Sequence, residues 1–372
     1  MPQRREFLRS ALVASAGGAL FSAAYGDEKE VTKKQPIKIA QIGVGHAHAS
    51  KLSVFRASPD YEVIGVAEAD PELRKRAESQ EFYRGLPWMS QEKLLKMPGL
   101  QMVLVETRVR DLLTTAEACV AAGKHIHPDK PAGESLPHLR RILDSAARQK
   151  LLVQMGYMFR YNPAVVLLRD FLRQGWLGKV FEVHAVMSKV VDPASRRELA
   201  QYPGGIMFEL GCHVMDLVVG ILGKPDAVTP FIQHSSPLPD KLADNMLAVL
   251  SYPQATATVK ASAQEVDGGD RRHLVVCGTE GTFHIQPLDN PSAIVTLSKP
   301  RGDYKQGRQE TTFPKYTRYV DDAADMARII RGEKPADFSY EHDLNVQRAL
   351  LEACKLPLDR LCSTRKPMDL VL

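Results

Sequence analysis

An apolar run at residues 37–42 (IKIAQI) passes directly into Gly43-Val44-Gly45, and this junction constrains the fold more than any other feature of the chain. Residues 48–57 have helical spacing, so the chain must turn sharply from a buried strand into a helix. A second apolar stretch, 63–67, ends on the acid Glu68. Strand, glycine turn, helix, strand and acid in this order form a dinucleotide cradle. The second glycine admits close approach of a pyrophosphate, the helix N-terminus favours its charge, and the acid accepts from the adenosine ribose hydroxyls. Gly43, Gly45 and Glu68 are therefore candidate cofactor residues. In G-x-G-x-x-G terms His48 stands where the third glycine would be. A carboxylate at Glu68 repels a 2′-phosphate, and Ala69 beside it brings no cation, so the pattern predicts NAD rather than NADP.

The alternation continues. Helices are expected over 71–80, 90–96, 110–122 and 135–149, and strands over 63–67, 102–105, 124–127 and 151–155. Alternating β and α elements imply a doubly wound parallel sheet over 37–156. After Gly156 the texture changes. Helices over 162–174 and 208–222 are followed by strands at 226–231, 245–252, 256–263, 273–277, 282–285 and 293–297, with short turns between them and helices at 319–331 and 341–355. The fold class expected is α/β: an N-terminal Rossmann sheet, then an α+β domain at 157–372 with an open, largely antiparallel sheet.

The first 26 residues read as an address. Arg4-Arg5 precedes Phe7-Leu8 and a short apolar stretch, the pattern of a twin-arginine-type signal peptide, with 27–36 as a polar linker. This predicts a periplasmic or otherwise exported protein. The chain of 372 residues has a formal charge of +5. Without the leader, 46 bases face 43 acids, and no Arg/Lys block is interleaved with aromatics. That balance argues against nucleic acid and against a membrane for the mature form. Five cysteines without C-x-x-C spacing argue against a zinc site. No metal is expected.

Three further motifs carry chemistry. Asp129-Lys130-Pro131 follows the strand at 124–127, so Lys130 lies at the crevice outside the strand ends, where an ammonium can stabilise a developing alkoxide. Glu209, His213 and Asp216 are spaced to share one helix face, after Gly204-Gly205, which would let backbone approach a ligand. A histidine flanked by carboxylates suits a general base. Tyr157, Arg160 and Asn162-Pro163 stand at the domain junction, where aromatic faces and arginine donors suit a polyhydroxylated ligand; junction packing with a helix cap is the other reading.

These motifs in this order resemble the glucose-fructose oxidoreductase/inositol dehydrogenase (Gfo/Idh/MocA) family, from Ile37 to about Cys354. The resemblance implies a catalytic lysine at Lys130, a catalytic histidine at His213 and a carboxylate partner at Glu209. It implies cofactor contacts from Gly43, Gly45, His46, His48, Glu68, Thr107, Asp129 and Lys130, substrate contacts from Tyr157, Arg160 and Asp216, and a homodimer or homotetramer built on the C-terminal sheet. The implied activity is NAD-dependent oxidation of a hydroxyl on a sugar, polyol or glycoside: His213 takes the proton, Lys130 holds the oxygen, and Glu209 positions His213 or a second hydroxyl. The chain departs from the family pattern at Asp129 (usually Glu), at Glu209 (usually Asp), at His48 and at Glu106-Thr107-Arg108 (often A-T-P). An exported dehydrogenase has no pool of free NAD to exchange with, so tightly bound cofactor is expected. Redox-neutral glycosidase or epimerase chemistry, with His46, Tyr157, Glu209 or Asp216 as second acid/base, and a non-catalytic dinucleotide- or sugar-binding role are the alternatives.

Overall fold

Ile37, Ile39, Ala40 and Ile42 are all buried, which makes β1 (Ile37–Ile42) a strand enclosed on both faces. The computed structural model describes residues 34–359; the expected leader lies outside them. After β1 come α1 (Leu52–Ala57), β2 (Tyr61–Ala67), α2 (Pro71–Glu78), α3 (Gln91–Leu95), β3 (Met102–Val105), α4 (Val109–Ala121), β4 (His125–Pro128) and α5 (Leu136–Arg148). The four strands pair in parallel in the order β2-β1-β3-β4. Order reverses at β1, which has β2 on one side and β3 on the other, so the crevice lies above the carboxyl ends of β1 and β3. Local chemistry sets the helix starts. Asp70 accepts from the Glu72 and Leu73 nitrogens with Pro71 at the first helical position, and Ser135 accepts from the His138 nitrogen. Such caps contribute about 1 kcal/mol each.

The second layer contains α6 (Pro163–Arg173), β5 (Val180–Ser188), α7 (Pro193–Leu199), a π-turn (Met207–Gly211) leading into α8 (Cys212–Leu222), β6 (Ala227–Gln233), β7 (Asn245–Ser251), β8 (Thr256–Ser262), β9 (His273–Gly278), β10 (Gly281–Ile285), β11 (Ser292–Leu297), β12 (Gly307–Thr312), α9 (Val320–Ile330) and α10 (Tyr340–Ala353). Its eight strands run β12-β11-β10-β9-β5-β8-β7-β6, antiparallel except for the β5–β8 pair. Val183, Ala185 and Met187 of β5 point inward with Val259, Ala261 and Val276. α8, apolar nearly all round, packs on β5 and β8 and against α10.

Three expectations need correction. Residues 151–155 do not form a full strand: they run beside β4 with one bridge, Ile126 to Val153, in which the Ile126 nitrogen donates to the Leu152 carbonyl (2.8 Å) and the Gln154 nitrogen to the Ile126 carbonyl (3.1 Å). Pro128 has no N–H to offer the Gln154 carbonyl, which meets the His127 ring at 2.6 Å instead, and the Tyr340 hydroxyl serves the Leu151 carbonyl and the Val153 nitrogen, so the ladder with β4 does not extend into a full strand. The helix expected over 208–222 opens instead with a π-turn. Finally α7 and the polar edge strand β12 had no apolar periodicity to announce them. Among the described residues no helix is long and apolar enough to cross a membrane.

Candidate active site

The four parallel strands end one residue before Gly43, Glu68, Glu106 and Asp129, so strand geometry alone gathers these four at one rim. Gly43 has φ +88°, and a Cβ there would lie 2.5 Å from the Thr107 nitrogen. Only glycine allows β1 and the turn after β3 to close this far. Glu68 accepts from the Val44 and Asp70 nitrogens, both at 2.8 Å, and so shapes the loop it was expected to serve. The Thr107 hydroxyl is buried beside the loop with no protein partner. A glycine turn that a Cβ would fill, an acid at the end of β2 and an orphaned hydroxyl at the base of the loop fit a dinucleotide. Arg108 reaches across to Asp70 at 3.3 Å on the same rim.

Asp129 is wholly enclosed and is the hub of the site. Its Oδ1 accepts from the Lys130 nitrogen (2.7 Å) and lies 3.1 Å from His48 Nδ1. Its Oδ2 lies 2.8 Å from Lys51 Nζ and 3.0 Å from His46 Nδ1. Lys51 also meets Glu106 at 3.0 Å and sits 4.6 Å under the Tyr319 ring. Burial opposes the Asp129 charge, but His46 and Lys51 outweigh it and hold the carboxyl well below its usual range. Burial pushes Glu106 well up, with the Lys51 charge opposing and the Asp129 charge adding to the rise. Of these two carboxyls Glu106 is the one that takes a proton. Asp129, His46 and His48, expected at the cofactor, thus turn their polar atoms toward one another.

Lys130 is 1% exposed, and its ammonium donates to the Glu209 carbonyl (2.8 Å) and carboxylate (3.0 Å). The π-turn presents both Glu209 oxygens to one lysine; π-turns recur at functional positions. Burial disfavours the ammonium, but Glu209 more than offsets it, so Lys130 stays charged and its affinity for the proton rises. Glu209 is likewise opposed by burial and held ionised by Lys130. His213 lies in a wall of rings: His48 at 5.7 Å, Phe159 at 6.0 Å and Tyr157 at 6.3 Å between centroids. Burial holds its imidazole well below the ordinary value, so it is neutral.

Arg160 and Asp216 do not join this group. Arg160 is 1% exposed and is spent on Asp216 (2.7 Å) and Asp343 (2.5 Å), with Phe338 and Tyr157 stacked against it. Asp216 also meets His342 at 2.9 Å; burial raises its pKa, Arg160 lowers it further, and the balance falls to about 2. The pair is a buried network joining α8, α10 and the junction. Gly205, expected near a ligand, packs on Ala243: with φ +56° a Cβ would lie 2.6 Å from that carbonyl. The residues that sequence reasoning passed over are Lys51 and Tyr319; Glu106 was noted only as a departure from the family pattern, and Phe159 only as part of the junction motif. Among the described residues, two groups have the donors to hold an ion, His46-His48-Asp129 and Asp216-His342-Asp343. In each a side-chain cation, Lys51 or Arg160, already sits on the carboxylates.

Comparison with known proteins agrees with this geometry. Residues 37–157 match the model for the oxidoreductase family, NAD-binding Rossmann fold, and residues 165–284 match the GFO/IDH/MocA C-terminal domain. A trans-1,2-dihydrobenzene-1,2-diol dehydrogenase from Sus scrofa is 25% identical over 277 residues, covering 71% of this chain and 78% of its own. Two solved structures share the fold. UDP-N-acetylglucosamine 3-dehydrogenase from Acidithiobacillus ferrooxidans has a TM-score of 0.72 at 18% identity, over 87% of this chain and 99% of its own. GenD2 from gentamicin A biosynthesis, in complex with NAD, has a TM-score of 0.71 at 21% identity, over 87% and 94%. With both halves matched in order, this chain belongs to the Gfo/Idh/MocA family of NAD-binding oxidoreductases.

Proposed function

We propose that the protein oxidises a secondary hydroxyl of a sugar, polyol or glycoside, with NAD rather than NADP held at the Gly43–Glu68 cradle. The observation that carries this reading is the ion pair of buried Lys130 with Glu209 at the carboxyl ends of the parallel strands, with the Lys130 charge acting on His213. A bound nicotinamide supplies the hydride acceptor. Lys130, kept charged, polarises the reacting oxygen in a site from which water is largely excluded. Glu209, 20% exposed, anchors that lysine and has an edge left for a neighbouring hydroxyl. Tyr157 and Phe159, each 1% exposed, pack around the His213 ring and fix it in place. Relatives whose names record action on a dihydrodiol and on a nucleotide sugar support a vicinal hydroxyl as the reacting group.

The Arg4-Arg5 leader supports export and, with it, a cofactor that stays bound through turnover. The outer face of the eight-stranded sheet carries exposed Phe231 on its edge strand, which supports a homo-oligomer on that face. The test is product identification. Purified protein is given a panel of monosaccharides, polyols and glycosides, and carbonyl products are trapped. Full turnover by both Lys130→Ala and His213→Ala would sink the assignment. Extensive dialysis followed by denaturation decides the cofactor question: retained NAD supports the bound cycle, and activity that depends stoichiometrically on added NAD overturns it.

A further inference from the structure

His48 and His213 face each other, yet their second nitrogens are treated in opposite ways. His213 is 1% exposed, and its Nδ1 is buried with no hydrogen-bond partner. A proton placed on that nitrogen would be an unsatisfied buried donor, among the rarer and costlier defects of a folded protein. The neutral ring therefore carries its proton on Nε2 and acts as a donor toward the site. His48 is the reverse. Its Nδ1 lies 3.1 Å from Asp129 Oδ1, and an ionised carboxylate only accepts. Asp129 is kept ionised by Lys51, with the Lys130 nitrogen donating to it as well. This contact places the His48 proton on Nδ1 and leaves the lone pair on Nε2. The His48 side chain is 17% exposed. It stands at the third-glycine position of the loop, where glycine would supply none of this.

We propose that His48, positioned by Asp129, is the imidazole that takes the proton of the reacting hydroxyl, while neutral His213 keeps its Nε2 proton and donates a hydrogen bond from it to the same oxygen beside Lys130. The inference rests on the hydroxyl-oxidising function above. The balance closes: the O–H bond breaks as N–H forms on His48 Nε2, the carbon-bound hydride leaves to the bound oxidised nicotinamide, and the carbonyl remains. The positive charge gained by His48 is met by the Asp129 carboxylate. The other groups facing the pair are His46 at 5.0 Å and Tyr319 at 5.9 Å from the His48 ring, Lys130, which lowers the basicity of both, and Arg318, which acts on His213. Burial lowers His48 to about 4 despite Asp129, so it is an unprotonated base at neutral pH.

The test uses the full chain loaded with NAD⁺ and labelled with ¹⁵N-histidine, with resonances assigned by loss in His48→Gln and His213→Gln. Nitrogen shifts report the tautomers without any turnover. The expected result is Nδ1–H for His48 and Nε2–H for His213, with Asp129→Asn moving the signals of its neighbours His48 and His46 and leaving the His213 tautomer unchanged. Nδ1–H on His213 overturns the inference. In turnover, His48→Gln should lower the rate about 10²–10⁴-fold and abolish the acid limb of the pH profile, and imidazole should partly restore His48→Ala. Binding of NADH, followed by fluorescence, separates this from a packing role. If His48→Gln weakens NADH but keeps the acid limb, His48 only packs the loop and the inference fails. If no hydroxyl compound is oxidised by the wild type, the functional assignment fails, while the tautomers still decide the roles of the two rings.

Discussion

Lys51 Nζ lies 2.8 Å from Asp129 Oδ2, and neither side chain reaches solvent. The lysine comes from the segment just after the glycine loop and the aspartate from the end of β4, so one buried ion pair ties the cofactor loop to the strand that carries Lys130. Glu106 shares the same ammonium at 3.0 Å. Removing one partner of such a group leaves uncompensated buried charge, typically at a cost of about 3–5 kcal/mol. Lys51→Met should therefore lower the unfolding free energy by that order in a denaturant titration, although the substitution nearly preserves volume. A loss under 1 kcal/mol would show that the cluster sheds its charge by protonation instead.

Gly43→Ala puts a methyl group against backbone, at 2.5 Å from the Thr107 nitrogen and 2.6 Å from its Cα, at a φ that L-residues avoid. The left-handed conformation alone costs about 1–2 kcal/mol, and neither backbone contact can rotate away. The variant should melt several degrees lower and lose affinity for NADH at least tenfold, as read by fluorescence titration. Unchanged affinity would mean the cradle does not hold the dinucleotide.

Asp322 gives a pH prediction. It is 1% exposed, neither carboxyl oxygen has a hydrogen-bond partner, and burial pushes its pKa up to about 7. The folded state holds a proton that the unfolded chain has already released above about pH 4. The penalty is therefore absent below that pH, and stability falls as pH rises through about 7. Asp322→Asn should stabilise the protein at pH 8 by roughly 1–3 kcal/mol and change little at pH 4. An equal effect at both pH values would contradict the assignment.

These residues also mark the limit of what the sequence discloses. β1 and β3 were legible to the residue because a largely apolar run before Gly43 and a wholly apolar one before Glu106, each followed by helix signals, leave few alternatives. Lys130 and His213 stand out in the sequence because their motifs are local; that they lie close together is visible only in the fold. Lys51 was not: a lysine in a short helix reads as a surface charge, and only the parallel pairing of β1, β3 and β4 brings it to Glu106 and Asp129. The grouping of Glu209, His213 and Asp216 on one face assumed regular helical spacing. The π-turn at Met207–Gly211 sends Glu209 to Lys130, while Asp216 turns to Arg160.

Glu68 should set cofactor preference. Its carboxylate both holds the loop nitrogens and opposes a 2′-phosphate. Glu68→Gln keeps an acceptor oxygen and removes the charge, a change worth about 1 kcal/mol for a pair near 4 Å in water. The ratio of NADPH to NADH dissociation constants should fall about five- to tenfold in isothermal titration. An unchanged ratio would place the discrimination elsewhere on the rim, with Arg108 and Asp70 the residues to examine.

The most direct measurement is a single turnover. Protein with its bound NAD⁺ is mixed with an oxidisable glycoside or polyol, and absorbance at the reduced-nicotinamide band is followed in the wild type and in Lys130→Met. The account predicts a burst of reduction in the wild type, with a rate about 10²–10³-fold lower in the variant at equal nucleotide occupancy, because one preorganised charge at the reacting oxygen is lost. Equal bursts from the two proteins would contradict it.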